Sequence, residues 1–189
     1  MASKQRLDDV ALRVLFPEIE LIDELGLRAA VAEIWAELWE QSEYSDLLDV
    51  PVSLKCDYSQ VKHTQAVTRM ALHVADVSAE VHGTVVDRDM LVAGSLLMDV
   101  SKVVEYRPGA AGNERTQLGA LLPHGTATAN LSLVKGIPLG VVHIVLAHSP
   151  NGGKAPSTME AHILDWLDQL DLNAFGADLW KRHVIHFQP

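Results

Sequence analysis

The chain has 189 residues and a mass of 20.7 kDa, enough for one sizeable core but short for two independent ones. Apolar residues make up 48% and charged residues 21%, the balance of an ordinary globular protein, which excludes a disordered or collagen-like chain. Fifteen Lys and Arg against 25 Asp and Glu give a formal charge of −10, a field that repels polyphosphate polymers, so no nucleic-acid partner is expected.

The N-terminus MASKQRLDDV has no apolar stretch after its basic residues, and the single cysteine, Cys56, cannot form an internal disulfide; both favour the cytoplasm. Leu27, Ala30, Val31, Ile34 and Leu38 recur at helical spacing with Glu33, Glu37 and Glu40 on other faces, which predicts an amphipathic helix. Trp35 and Trp39 widen its apolar surface as core or as a contact in a homo-oligomer. After a turn-prone stretch, a second helix is predicted from about Gln60 to His82, capped by Asp57 or Ser59 and stopped by Gly83. His63 stands one turn before Val67 on its buried stripe.

The segment Asp89 to Tyr106 reads as a central helix with an acidic cap, because it is almost continuously apolar up to Asp99. A carboxylate there is costly unless it is paired or bound to a metal; a salt bridge to Lys102 or Arg69 is the alternative. Pro123 and His124 mark a kink or the start of a helix ending at Gly136. Pro138 opens another, which His148 closes; the most apolar segment, Gly136 to Ala147, falls well short of the ~20 residues that span a bilayer, so no membrane partner is expected. The loop SPNGGKAPS comes next, with Lys154 as a candidate for substrate contact or a solvated loop lysine. Ser157 and Glu160 have capping-box spacing, and the last helix is read with Ala161, Leu164, Asp165 and Asp168 along one side. Strand alternation is lacking except in a short extended tail, Val184 to Phe187. The expectation is an all-α helical bundle.

His63, Asp99, His124, His148 and Asp165 each fall near the end of a different predicted helix, and nitrogen plus carboxylate oxygen is the ligand set of zinc, iron or manganese. The other histidines, His73, His82, His143, His162, His183 and His186, are read as structural or surface residues. Tyr106 and Glu105 are further candidates for the pocket wall.

The stretch DRDMLVAGSLLMDVSKVVEY resembles the central helix of the HD-domain superfamily of metal-dependent phosphohydrolases. LPHGTATANL, VVHIVLAHSP and MEAHILDWLD resemble its later motifs in the same order, over roughly residues 59 to 170. The resemblance implies a single HD-like domain over residues 1–189, with 1–50 as a helical extension and about 59–170 as the HD core. It assigns His63, residue 98, Asp99 and Asp165 to one ion, and Asp99, His124 and His148 to a second, with Asp99 bridging. Met98 stands where the family has histidine, and a neutral thioether is a poor ligand for such ions.

The resemblance implies a hydrolase of a small phosphoester or nucleotide-like substrate, using Mn, Fe or Zn. Asp99, His124 and His148 then hold the principal ion, Asp165 and His63 serve as additional ligands or acid-base groups, and Lys102 stabilises charge. Two alternatives remain open because of Met98: a metal-free lyase, isomerase or hydratase using the same His and Asp residues, and a noncatalytic binding protein.

Overall fold

The structure, a computed structural model, describes residue 4, residues 6–149 and residues 152–176. It is predominantly helical, as the periodicity predicts. Helix α1 (Asp9–Leu15) is capped by the Asp8 carboxylate, which accepts from Ala11 N, and a 3-10 turn at Pro17–Leu21 leads to α2 (Leu25–Gln41). The buried face of α2 carries Leu27, Val31, Ile34, Trp35, Leu38 and Trp39. Trp35 is core: its indole donates to Leu96 O at 2.9 Å and its ring lies 4.9 Å from Phe16.

Two short antiparallel hairpins interrupt the helices, β1 (Pro51–Ser53) with β2 (Cys56–Ser59) and β3 (Tyr106–Gly109) with β4 (Gly112–Arg115). Sequence reading misses both, because strands of three or four residues are too short to show alternation. The extended segment it does expect, Val184 to Phe187, lies outside the described residues.

Helix α3 (Gln60–His82) has the expected bounds, and Gly83 ends it in the left-handed conformation at φ 66°, where its amide returns to Ala79 O. Helix α4 (Arg88–Leu97) is central, packing against α2, α3, α8 (Leu139–Ala147) and α9 (Met159–Phe175). Its closeness to α8 depends on Gly94, where a Cβ would meet Ile144 Cδ1 at 2.6 Å. The cap of α4 is Asp87, not Asp89; Asp89 instead accepts from the amides of Asp23 and Glu24, both at 2.8 Å, and fastens the N-terminal segment to the bundle.

The long helix expected from Asp89 to Tyr106 is divided. After Leu97 the chain continues in tight turns whose bonds run three residues back (Val100 N to Leu97 O, Lys102 N to Asp99 O, Val103 N to Val100 O), before a short α5 (Lys102–Glu105). Side chains three apart eclipse in such turns, so Lys102 is laid over Asp99. Helices α6 (Gln117–Leu121) and α7 (Thr126–Val134) lie between the second hairpin and α8. In α9 the cap is Thr158, accepting from Ala161 N, one residue later than expected; Ser157 contacts His143 instead. Among the described residues no helix is long and apolar enough to cross a membrane.

Candidate functional site

Asp99 is fully buried and is met by side chains from three other parts of the fold. Its Oδ1 lies 2.9 Å from His124 Nε2 and 3.4 Å from His148 Nε2, and its Oδ2 lies 2.7 Å from Lys102 Nζ and 3.3 Å from His63 Nε2. The first turn of α3 brings His63, the loop before α7 brings His124, and the C-cap of α8 brings His148. Gln60, buried at the start of α3, donates from Nε2 to Asp99 O at 3.1 Å and holds the turn against that helix.

Each of the three imidazoles has its Nδ1 held by an acceptor: Asp171 Oδ2 at 2.7 Å for His63, Glu105 Oε2 at 2.7 Å for His124, and Val145 O at 3.0 Å for His148. This fixes the rings so that every Nε2 is turned toward Asp99, which is how ligating histidines are oriented. Among the described residues two groups of donors result, Asp99 with His124 and His148, and His63 with Asp99 and Asp168; within each, the donor atoms lie within 4.8 Å of one another. Nitrogen and carboxylate oxygen are the donor types that zinc, iron and manganese take.

The electrostatics are those of a concentrated charge cluster. Burial favours neutral groups, but Lys102 and the three imidazoles hold Asp99 well below the usual carboxylate range. Burial likewise opposes the imidazoliums, yet hydrogen bonds to Asp168, Asp171 and Asp99 lift His63 to about 10, and bonds to Asp99 and Glu105 lift His124 to about 9. Glu105 is lowered despite burial because it accepts from His124, Ser101 and the Gly125 amide. Lys102 is only 7% exposed, and Asp99 overcomes that burial to keep its pKa raised.

A cleft of about 540 Å³ opens onto this cluster, and His124, His148, Lys102, Glu105 and Asp168 are among the residues that line it. Lys55 from the first hairpin and Arg115 from the second line its wall, and the Arg115 guanidinium lies 5.7 Å from the centre of the Tyr106 ring. A chain of net charge −10 thus gathers three cationic side chains in one cleft. Leu122, Pro123 and Leu172 supply an apolar side.

The structure therefore brings together His63, Asp99, Lys102, His124 and His148. It does not bring Asp165 into either donor group: Asp165 is half-buried, and Asp168 makes the 3.0 Å contact to His63 Nε2 instead. The rotation of α9 decides this, because Ala161, Leu164 and Leu167 are its buried apolar residues and Asp168 and Asp171 are buried with them. Sequence reading does not anticipate Asp171; its three-residue spacing from Asp168 is the available signal. Lys55 and Arg115 carry no signal of their own, since only the hairpins bring them to the cleft. Lys154 is exposed and does not line the cleft; His73 and His82 are exposed, and His183 and His186 lie outside the described residues. Met98 is fully buried in an apolar cluster with Val67, Ala71, Leu91, Ile144 and Leu164.

No family model matches the chain. No solved structure matches it either. Over 112 residues, 59% of its length, the chain is 33% identical to dihydroneopterin 2',3'-cyclic phosphate phosphodiesterase of Methanocaldococcus jannaschii. That region spans 45% of the relative.

Proposed function

We propose that this chain is a metal-dependent hydrolase acting on a small phosphoester or nucleotide-like substrate. The observation that carries the reading is the convergence of His124 and His148 Nε2 on one oxygen of Asp99, in a cleft that Lys55 and Arg115 also line. The likeness to a named phosphodiesterase and the ordered resemblance to the HD-domain superfamily support the same class of reaction. Mn, Fe or Zn is the cation that these donors suit, with Asp99, His124 and His148 as its holders. When bound, it lowers the pKa of a water molecule and withdraws charge from a phosphoryl oxygen.

The chain's own residues account for the rest. Lys102 compensates the charge of Asp99 and faces the cleft, where it meets a bound phosphoryl group. Arg115 and Lys55 attract the anion and orient it, while Leu122, Pro123 and Leu172 receive the less polar part of the substrate. Glu105 and Asp171 hold His124 and His63 in place. Cys56, a free thiol, suits the reducing cytoplasm.

The test is an assay of metal-loaded protein against cyclic phosphodiesters and simple phosphomonoesters, with Asp99→Ala as control. Metal-dependent release of product by the wild type, lost in the variant with its far-UV signal retained, is the expected result. Turnover that survives chelation, or undiminished turnover in Asp99→Ala, rejects it.

A further inference from the structure

The two donor groups around Asp99 are not equivalent. In the Asp99–His124–His148 group, both histidines line the cleft, and the His148 ring has its Nδ1 satisfied by a backbone carbonyl, so Nε2 is free to donate a lone pair. The His63–Asp99–Asp168 group differs in the full burial of its histidine and in the cation already beside its Asp99 oxygen; engagement of the ring nitrogens does not separate the groups, because His124 also meets a carboxylate on each nitrogen. His63 is fully buried with a carboxylate on each nitrogen, Asp171 at 2.7 Å and Asp168 at 3.0 Å. The second Asp168 oxygen accepts from Gln169 at 2.9 Å. The Asp99 oxygen on this side, Oδ2, carries the Lys102 ammonium at 2.7 Å.

We infer that the site is built for one divalent cation, held by Asp99, His124 and His148, and that the Lys102 ammonium takes the place of a second cation beside His63. This rests on the reading that the cluster binds metal at all. Two features of the chain make the His63 group unfit for an ion. Position 98, where the resemblance implies a further imidazole, is a methionine sealed among Val67, Ala71 and Leu164, so no additional nitrogen donor is supplied. A divalent ion using Asp99 Oδ2 would also face the Lys102 ammonium, 2.7 Å from the same oxygen, and the two cations would repel each other. The tight turns from Leu97 to Val103 set this position, since they place residue 102 directly over residue 99. Charge is balanced at lower cost by the resident ammonium, and it stays adjacent to the ion that His124 and His148 hold.

The experiment counts ions rather than turnover. Chelator-stripped protein is titrated with Mn²⁺, bound metal is measured after gel filtration, and the electron paramagnetic resonance spectrum is recorded. The expected result is one equivalent per chain with no exchange-coupled signal, its binding strongly weakened in His148→Gln and retained in Asp168→Asn. Two equivalents with a coupled spectrum overturn the inference while leaving the metal reading intact. A single ion lost in Asp168→Asn but kept in His148→Gln places it in the wrong group and also overturns it. No bound Mn²⁺ rejects the inference and the metal reading together. If Lys102 is what excludes the second ion, Met98→His alone still binds one equivalent, and Met98→His with Lys102→Gln binds two; a second equivalent in Met98→His alone removes Lys102 from the explanation.

Discussion

Glu105 Oε2 accepts a 2.7 Å hydrogen bond from His124 Nδ1, while the other oxygen of the same carboxylate accepts from Ser101 Oγ and from the Gly125 amide. One buried acid therefore sets both the tautomer of His124 and the backbone of the loop that carries it. Glu105→Gln keeps the shape but can no longer accept equally at both ends. Metal affinity falls by about 10–100-fold, read from a binding isotherm, with the helical signal preserved.

In the metal-free protein, the folded-state pKa values of His63 and His124, about 10 and about 9, lie above the ordinary histidine value of 6.5. Protonation therefore favours the folded state. This stabilisation is fully present below about pH 6.5 and is lost as pH rises through 9 and then 10. Thermal melts of chelated protein are expected to decline over that interval. Because metal must displace the His124 proton, loading releases protons and tightens with rising pH, as measured by titration in weakly buffered solution.

Asp165 and Asp168 are one helical turn apart and make opposite predictions. Asp168→Asn weakens the contact to a buried imidazole and costs roughly 1–3 kcal/mol in denaturant unfolding. Asp165→Asn changes stability by no more than about 0.5 kcal/mol, because burial and the neighbouring Asp168 already disfavour its charge.

Gly119 lies against the backbone of Glu105, and a Cβ added there would stand 2.3 Å from Glu105 O. Backbone cannot rotate away as a side chain can. Gly119→Ala is expected to cost about 1–3 kcal/mol of stability and to weaken metal binding as well, since the shifted residue is the one holding His124.

Gly83 and Pro138 stop and start helices through backbone conformations that no tertiary contact needs to decide, and the borders expected from sequence stand there. His63, Asp99, His124 and His148 are legible as polar residues at the ends of apolar helices. Asp168 is not separable from Asp165 by sequence, because both lie on the side of α9 that periodicity marks and only the seating of Leu164 and Leu167 selects between them. The break after Leu97 is hidden for a related reason: residues 96–103 are all buried, polar ones included, so no exposed face marks a period of 3.6 residues against one of three.

The contacts that close the site join distant parts of the chain, with His63 meeting Asp168 and Asp171 across 105 and 108 residues. Helix α9 contributes its apolar residues Ala161, Ile163, Leu164 and Leu167 to the smaller of two apolar clusters, whereas α2 and its neighbours belong to the larger one. The docking of α9 thus brings Asp168 and Asp171 to His63, and undocking it would open that corner. Amide hydrogens of α9 are therefore expected to exchange with solvent ahead of the core around Trp35, which lies in the larger cluster, as hydrogen exchange would measure.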